Sequence, residues 1–324
     1  MPDTQINSKI IAEGVYLPSK IVSNSDLTQT LDTSDEWIIE RTGIKSRHIA
    51  AKDEMTSDLA VAALLDALNR YQIDKESIDA LIVATTTPDQ IFPSTAAIVH
   101  GKMGLKQGCF SFDLAAVCSG FIYAMSIADS LIKSGSAKRV AVIGAEVMSR
   151  ILDWNDRSTC ILFGDGAGAI ILEATQEKDV GILGYNLFSD GACKDILKVQ
   201  GGVSAGQMDA KVFMNGREVF KNAVDKMAKA SAKLLSSLDI SIDDVNWAIP
   251  HQANQRILDA VAQKLKLPKE KMISTVATHA NTSAASIALA YSHAVRSRLV
   301  KDGDIIIMAA LGSGLTWGSV VYKA

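Results

Sequence analysis

The sequence lacks the features that mark several classes of protein. Its longest apolar runs, such as residues 305–311, are much shorter than the roughly 18 residues that a membrane-spanning helix needs. Residues 1–5 show no basic stretch leading into an apolar one, as a secretory signal would. We therefore expect a cytoplasmic protein that does not cross a membrane.

The sequence also has few cysteines and no large excess of either positive or negative charge. The four cysteines have no paired spacing with one another or with the five histidines, so we expect neither structural disulfides nor a metal site. The 33 basic and 36 acidic residues leave a net charge of −3, which argues against a nucleic-acid-binding protein. No glycine-rich dinucleotide or phosphate-loop motif occurs, so we expect no nucleotide cofactor.

What the sequence does contain is a large apolar fraction, 48% of its residues, arranged in alternating strand-like and helix-like segments. This alternation predicts an α/β fold with covered sheets. The predicted strands are residues 80–84, 140–144, 169–172, 247–250 and 305–308, and the predicted helices are residues 59–69, 120–134, 219–238, 255–265 and 283–300.

The two halves of the sequence resemble each other. A helix leads to Ile73 and a strand in the first half, and a similar helix leads to Ile240 and a strand in the second. The helix after Cys118 corresponds in the same way to the helix after Asn281. We therefore predict two similar α/β domains, residues 1–173 and 174–324, related by a pseudo-twofold axis.

Cys118 is the first candidate for chemistry. It lies between a predicted strand, residues 110–114, and the start of a helix at Gly120. The free amides and positive dipole end of a helix favour the thiolate form of a cysteine, which is the reactive form. A buried, inert cysteine is the alternative interpretation of such a position.

His251 and Asn281 strengthen the interpretation of Cys118 as reactive. His251 ends the predicted strand 247–250, and the carboxyl ends of strands are where α/β proteins place their sites. We place Asn281 at a helix start equivalent to that of Cys118. The duplicated scheme then brings the three side chains together, although an ordinary core histidine or capping asparagine would explain each one separately.

These residues belong to motifs that resemble β-ketoacyl-acyl-carrier-protein synthase III, a thiolase-like family of initiating condensing enzymes. The match extends over nearly the whole chain. The motifs are Thr33-Ser34-Asp35-Glu36-Trp37, Arg41-Thr42-Gly43-Ile44, Ala115-Ala116-Val117-Cys118-Ser119-Gly120-Phe121, residues 163–169, His251-Gln252-Ala253-Asn254, residues 279–286 and residues 312–318.

The resemblance implies a thiolase-like fold with αβαβα layers and an acyltransferase activity. The expected reaction is decarboxylative Claisen condensation of an acyl-coenzyme A starter, acetyl above all, with malonyl-acyl-carrier protein in fatty acid biosynthesis. Cys118 would carry the acyl group, while His251 and Asn281 would stabilise the enolate. The backbone N–H groups of Cys118 and Ser313 would form the oxyanion hole.

The resemblance also assigns binding residues. Trp37 and Arg157 would hold the adenine of coenzyme A, with the other coenzyme A contacts made by Thr33, Arg41, Asn254 and Arg256. Lys221 and Arg256 would meet the acyl carrier protein, although each basic residue taken alone is an ordinary solvated charge. Coenzyme A is thus a substrate carrier rather than a cofactor, and the basic residues should form a rim around the site entrance.

Three residues depart from the family pattern: Leu311 where a phenylalanine is common, Ser313 where a glycine is common, and Ser119 where an alanine is common. They leave the preference for the acyl chain open. Phe92 matches a residue that the neighbouring subunit supplies to the acyl pocket, with Leu311 also in that pocket, so we expect a homodimer.

Other functions remain to be weighed. The order Cys, His, Asn also occurs in papain-like cysteine proteases, but the residues around Cys118 do not match their motif. A non-catalytic scaffold would not need all three side chains. The closer alternative is a specialised paralogue that uses a branched, longer or aromatic starter, or that acts as an acyltransferase in secondary metabolism.

Overall fold

A computed structural model describes residues 6–324, so the expectation about residues 1–5 lies outside the described residues. The strands in this range are β1 (Asn7–Tyr16), β2 (Lys20–Ser23), β3 (Ser46–Ile49), β4 (Ala80–Ala84), β5 (Phe110–Leu114), β6 (Arg139–Glu146), β7 (Gly166–Thr175), β8 (Gly181–Ser189), β9 (Leu197–Val199), β10 (Val212–Met214), β11 (Trp247–Pro250), β12 (Ile305–Gly312) and β13 (Thr316–Lys323). The α-helices in this range are α1 (Asn24–Leu27), α2 (Asp35–Thr42), α3 (Thr56–Tyr71), α4 (Thr95–Met103), α5 (Gly120–Lys133), α6 (Gly216–Ser237), α7 (Gln255–Leu265), α8 (Val276–His279) and α9 (Ser286–Arg296).

Two mixed sheets, one from each half of the sequence, form the framework. The first has the order β1-β7-β6-β4-β5, and the second has the order β11-β12-β13-β8. In the first sheet β4 is parallel to β5 and to β6, whereas β7 is antiparallel to β6 and to β1. In the second sheet β11 is likewise parallel to β12, and β13 is antiparallel to β12 and to β8. The second sheet has no edge strand equivalent to β5 among the described residues. A single bridge between Ala248 and Met272 stands in its place.

Apolar side chains cover both faces of each sheet. Strand β4 is buried along its whole length, as expected for a parallel strand between two helical layers. One cluster packs α5 and α9 between the two sheets, a second packs α3 against the outer face of the first sheet, and a third packs α6 and α7 against the outer face of the second. The result is the expected αβαβα layering.

Most of the predicted elements are confirmed, with one clear error. The helix predicted from residue 283 to 300 is a 3₁₀ turn, Ser283–Ala285, followed by α9, which ends at Arg296. The pattern misled because Leu299 and Val300 pack against the core from the connection that follows the helix. Arg298 in that connection has a left-handed backbone, with φ +57°, which an α-helix does not contain.

The division of the chain into two domains stays a prediction. Strand β7 of the first sheet extends to Thr175, and β8 of the second begins at Gly181. We therefore propose the boundary in the turn between these strands, a few residues beyond position 173.

Candidate active site

Cys118 lies on a strained turn between β5 and α5. The turn, Val117–Ser119, is a single 3₁₀ turn that we call the Cys118 turn. Val117 has φ +48°, a conformation that a β-branched residue adopts only under strain. The Ser119 hydroxyl donates to the carbonyl oxygen of Ala116 (2.7 Å) and contacts the Thr316 hydroxyl (2.8 Å), so the turn is tied to the start of β13.

Burial opposes ionisation of the Cys118 thiol. Only 5% of the residue is exposed, and burial raises the pKa of Cys118 to about 12 against a weaker opposing effect of Ser283. Burial and the helix start therefore act on the pKa of this thiol in opposite directions.

His251 follows β11 and is held from both sides. Its backbone N–H donates to Ala309 of the neighbouring β12 (2.8 Å), and its Nδ1 lies 2.7 Å from the hydroxyl oxygen of Ser286. That oxygen also accepts the N–H of Gln252 (3.3 Å). A Ser286 hydroxyl that donates to Nδ1 places the proton of the neutral ring on Nε2, and burial lowers the pKa of His251 to about 4.

Asn281 lies in an extended segment rather than at a helix start, which corrects the sequence expectation. It bridges to Phe163, with its N–H donated to Leu162 and its carbonyl oxygen accepting from Gly164. The side-chain Oδ1 accepts the N–H of Ser283 (2.9 Å), which leaves the amide hydrogens for a ligand.

The equivalent of Cys118 in the second half is Ala284. Both the Cys118 turn and the turn Ser283–Ala285, which we call the Ser283 turn, lead directly into a central helix. Their first residues, Val117 and Ser283, share φ +48°. The duplication thus aligns Val117 with Ser283, and Asn281 precedes the repeated turn.

The structure brings Cys118, His251 and Asn281 into one cavity of about 510 Å³. Each of the three is at least 94% buried, so their polar groups act in a low-dielectric site. Within the described residues the cavity lining contains four arginines and no aspartate or glutamate: Arg41, Arg157, Arg217 and Arg256. This is the basic rim that the sequence analysis required, and Arg217 is a member that it missed.

The predicted coenzyme A residues line the cavity with one exception. Trp37, Arg41, Arg157, Asn254 and Arg256 belong to its lining, whereas Thr33 does not. Lys221, predicted to meet the carrier protein, also lies outside the lining. The guanidinium carbon of Arg157 lies 5.2 Å from the centre of the Trp37 ring, and that of Arg41 lies 5.8 Å from it. The tryptophan therefore presents an electron-rich face to cations at the entrance.

Two of the entrance residues have further contacts. Asn254 caps α7, because its Oδ1 accepts the N–H of Ile257 (2.9 Å), so its predicted role in binding is added to a structural one. Arg256 is exposed and lies over the ring of Phe220, 5.8 Å from its centre. Lys221 is exposed on α6, one residue after Phe220.

A second cavity of about 180 Å³ adjoins Cys118 on its other side. Apolar side chains dominate its lining, which comprises Thr86, Val117, Cys118, Met148, Ile151, Phe163, Leu197, Lys198, Val199, Val212 and Ser313. The predicted pocket residues Leu311 and Phe92 are not among them: Leu311 lines the larger cavity, and Phe92 is 83% exposed. Within one chain, Phe92 lies on a surface loop and reaches neither cavity.

Ser313, a predicted oxyanion-hole residue, follows Gly312 at the end of β12. Its hydroxyl donates to the carbonyl oxygen of Leu197, at the start of the β9–β10 hairpin. A Cβ atom on the preceding Gly312 would lie 3.0 Å from the backbone nitrogen of Cys118 and 2.7 Å from the carbonyl oxygen of Ala116. The end of β12 therefore packs directly against the Cys118 turn.

Three buried polar residues around the site have no role predicted from the sequence: Glu146, Ser283 and Ser286. Glu146 ends β6, a carboxyl end of a central strand, so the rule that singled out His251 also applied to it. Ser283 and Ser286 lie in the motif of residues 279–286. Sequence spacing does not distinguish a serine that positions a catalytic side chain from one that packs in the core.

Two further features of residues 6–324 bear on other functions. Among those residues, no group of three or more His, Cys, Asp or Glu side chains is arranged to hold a metal ion. No helix in the same range is long and apolar enough to cross a membrane.

The chain is similar to proteins of one family over its whole length. Residues 112–191 match the family model for 3-oxoacyl-[acyl-carrier-protein] synthase III, and residues 235–324 match the model for its C-terminal part. A β-ketoacyl-[acyl-carrier-protein] synthase III of Ehrlichia canis is 54% identical over 98% of this chain and 99% of its own.

Solved structures agree with this assignment. The 3-oxoacyl-[acyl-carrier-protein] synthase III of Aquifex aeolicus is 45% identical, with a TM-score of 0.93 over 98% of this chain and 100% of its own. The corresponding enzyme of Thermus thermophilus is 42% identical, with a TM-score of 0.93 over 98% and 99% of the two chains. This chain is therefore a condensing enzyme with the thiolase fold and belongs to the 3-oxoacyl-[acyl-carrier-protein] synthase III family.

Proposed function

We propose that the enzyme condenses an acyl-coenzyme A starter, acetyl above all, with malonyl-acyl-carrier protein and thereby begins fatty acid biosynthesis. The observation that carries the proposal is the meeting of a buried thiol, a neutral imidazole and a free amide beneath a cavity mouth of four arginines. A thiol accepts acyl groups, whereas the other two side chains donate hydrogen bonds to an oxyanion.

The first step transfers the acyl group. The sulfur of Cys118 attacks the thioester carbonyl carbon, a carbon–sulfur bond forms, and the bond to the coenzyme A sulfur breaks. The developing oxyanion lies between the N–H groups of Cys118 and Ser313. Rigid donors of this kind typically contribute 10²–10³-fold to the rate, because they need no reorganisation when charge develops.

The second step creates the carbon nucleophile. Malonyl thioester loses carbon dioxide, and the enolate oxygen accepts hydrogen bonds from Nε2–H of His251 and the side-chain amide of Asn281. Both donors are set in advance by Ser286 and Ser283. The enolate carbon then attacks acyl-Cys118 and releases the sulfur, so no base has to remove a proton from carbon.

The cavity mouth suits a nucleotide with several phosphates. Arg41, Arg157, Arg217 and Arg256 supply positive charge, and Trp37 offers a ring for stacking on adenine. The 5.2 Å between Arg157 and the Trp37 ring is less than the two contacts of about 3.5 Å each that a base between them would need. Binding by sandwiching therefore requires the Arg157 side chain to move away from the ring.

Lys221 and Arg256 are the residues that we assign to docking of the acyl carrier protein. They project from α6 and α7, respectively, beside the cavity mouth and are both exposed. An acidic carrier would approach this face under long-range attraction. Thr33, near the first turn of α2, completes the residues that we assign to coenzyme A.

A homodimer would explain three exposed apolar side chains. Ile91, Phe92 and Phe110 are 59%, 83% and 41% exposed, and Phe110 begins β5, the edge of the first sheet. A partner strand would satisfy the open edge of β5 and cover these side chains. We propose that Phe92 then contributes to the small cavity of the partner.

The remaining assignments follow from the same reaction. We propose that the enzyme acts in the cytoplasm without metal or cofactor, with coenzyme A as substrate carrier and with no nucleic-acid partner. The three relatives named above are all synthase III enzymes, so they do not favour a specialised paralogue.

Intact-protein mass spectrometry tests the proposal. The enzyme is mixed in turn with acetyl-, branched butyryl- and octanoyl-coenzyme A, and the adduct is mapped by digestion, with Cys118→Ser as the control. We expect an acetyl adduct on Cys118 and none on the variant. Adducts from a longer or branched donor alone would support the paralogue, and no adduct from any donor would contradict the condensing mechanism.

A further inference from the structure

Two cavities meet at Cys118. Cys118, Phe163 and Leu197 line both the cavity of about 510 Å³ and the one of about 180 Å³. Because the arginines of the larger cavity suit coenzyme A, the smaller cavity is the space into which an acyl group on Cys118 can extend. The residues that bound this space therefore set the length of the acyl chain that the enzyme accepts.

The β9–β10 hairpin forms one side of the small cavity. The opposite side includes Thr86 and Met148, which follow the central strands β4 and β6 of the first sheet. The hairpin supplies four of the eleven lining residues: Leu197, Lys198, Val199 and Val212.

Few hydrogen bonds join the hairpin to the rest of the chain. Strands β9 and β10 pair only with each other, outside the two large sheets. The backbone–backbone hydrogen bonds of residues 196–214 all have their partners within residues 193–215. Among the described residues, two side-chain hydrogen bonds connect this segment to the body of the protein. Lys211 donates to the carbonyl oxygen of Arg150 (3.3 Å), and Ser313 donates to that of Leu197.

The hydrogen bond from Ser313 to Leu197, which we call the hairpin tether, lies at the small cavity. Ser313 and Leu197 both line that cavity, whereas Lys211 and Arg150 line neither cavity. The donor end is fixed, because the Ser313 carbonyl oxygen accepts the hydroxyl of Thr316 in β13 (3.2 Å). The tether thus fastens the hairpin side of the cavity to the large second sheet.

The tether acts on the face of the hairpin that lines the cavities. Leu197 pairs with Met214, and Val199 pairs with Val212. Directly paired residues share a face of a sheet, as do alternate residues of one strand, so these four side chains lie together. Phe213 points to the other face and is 51% exposed. A displacement of the hairpin would therefore move all four lining side chains at once.

The volume of the small cavity limits the chain that it can hold while the hairpin stays in place. An apolar cavity of about 150 Å³ takes up benzene, which has six carbon atoms. On that scale the cavity of about 180 Å³ holds about seven carbon atoms. An acetyl group fits easily, whereas the nine-carbon tail of a decanoyl group requires the hairpin to move.

We infer that Ser313 is a specificity-determining residue, whose hydroxyl holds the hairpin wall of the small cavity through the tether and restricts the enzyme to short acyl starters. The inference rests on the proposed function, because it takes the acyl group of the starter to extend from Cys118 into this cavity. Ser313 then has two separate duties, one for its backbone N–H in the oxyanion hole and one for its hydroxyl.

A competition between two donors tests the inference. The enzyme is mixed with equal concentrations of acetyl- and decanoyl-coenzyme A, and intact-protein mass spectrometry at early times gives the ratio of decanoyl to acetyl adducts on Cys118. In Ser313→Ala, which keeps the backbone N–H, this ratio should rise about fivefold, the factor that one typical hydrogen bond represents. A defect of the oxyanion hole would instead slow both donors and leave the ratio unchanged.

Two further variants separate the tether from a general loosening of the site. Ser119→Ala is the matched control, because it also removes a hydroxyl beside Cys118, but one that donates to Ala116 and contacts Thr316. It should keep the wild-type ratio. Ser313→Thr keeps the hydroxyl and adds a methyl group to the cavity lining, so its ratio should not exceed that of the wild-type enzyme.

Amide hydrogen exchange measures the tether directly. In Ser313→Ala, exchange in peptides that cover residues 197–199 and 212–214 should quicken about fivefold, because the hairpin detaches more often. Exchange in β4 should stay the same, since the tether does not hold the first sheet.

Four outcomes would overturn the inference. These are equal loading of both donors by the wild-type enzyme, an unchanged ratio in Ser313→Ala, an equal rise of the ratio in Ser119→Ala, or unchanged exchange in the hairpin of Ser313→Ala. Failure of the wild-type enzyme to form any adduct at Cys118 would instead contradict the proposed function, so the two failures are distinguishable.

Discussion

The Cys118 turn and the Ser283 turn have the same backbone but different duties. Each is a single 3₁₀ turn that begins with a residue at φ +48° and leads into a central helix. The first presents the nucleophile, whereas the second presents a hydroxyl that donates to Glu146 and a backbone N–H that donates to Oδ1 of Asn281. A repeated backbone feature has thus been used once for chemistry and once for support.

Each turn is supported by a strand of the opposite half. The Cys118 turn rests on β12 at Gly312, and the Ser283 turn rests on β6 at Gly144, where a Cβ atom would clash with the carbonyl oxygen of Ala284. Backbone strain of about 1–3 kcal/mol per residue persists only where the surroundings enforce it. The two halves therefore hold each other's strained turns in place.

The largest expected effect separates acyl transfer to Cys118 of the first half from decarboxylation, which uses His251 and Asn281 of the second half. His251→Ala and Asn281→Ala should each slow malonyl decarboxylation by about 10²–10³-fold, because each removes one donor to the enolate. Both variants should still form acyl-Cys118, which mass spectrometry and a carbon dioxide assay would measure in parallel. Decarboxylation at the wild-type rate in either variant would contradict the assigned donor role.

The next prediction tests whether each turn is stabilised by the strand of the opposite half on which it packs. Gly312→Ala and Gly144→Ala should each lower the free energy of unfolding by about 1–3 kcal/mol, since the added methyl group meets backbone rather than a flexible side chain. Urea unfolding would measure the loss. Gly101→Ala is the control, because a Cβ atom there meets no atom within 4 Å. Equal stability of all four proteins would remove the argument for interlocked halves.

Much of this arrangement could be predicted from the sequence, because apolar periodicity and strand-end position are local signals. They located β4, β11, α5 and α7 within a few residues and brought Cys118 and His251 to strand ends. They also indicated that the two halves repeat, and the two sheets share the strand pattern that such a repeat predicts.

The rest depended on distances that no local pattern contains. The pKa of Cys118 rises because of burial by both halves, and the tautomer of His251 depends on a hydroxyl 35 positions away. Glu146 accepts a hydrogen bond from Ser283, which is 137 positions away. Pairing Asn281 with Cys118 was wrong because the repeated unit is the strained turn, and side-chain type does not mark where such a turn begins.

Alkylation tests the protonation state of Cys118, the nucleophile that the first half supplies. With the pKa of Cys118 at about 12, its rate of reaction with iodoacetamide should rise about tenfold per pH unit from pH 7 to pH 10 without levelling off. Free cysteine, with its pKa near 8.5, should level off within that range. Mass spectrometry of the Cys118 peptide would measure the rate. A plateau below pH 8 would show that the helix start outweighs burial after all.

The smallest expected effect concerns the cavity mouth, where the two halves also differ. Trp37, Arg41 and Arg157 come from the first half, whereas Lys221 and Arg256 come from the second. Lys221→Glu and Arg256→Glu should weaken the use of acyl carrier protein several-fold at about 10 mM salt and less at 0.1 M, because screening shortens the reach of surface charge from about 30 to about 10 Å.

Lys229→Glu is the matched control, because Lys229 is an exposed lysine two turns further along α6. Rates with malonyl-acyl-carrier protein at the two salt concentrations would measure the effect. If the reversals at Lys221 and Arg256 change these rates no more than the control, or equally at both concentrations, then the second half does not recognise the carrier through these charges.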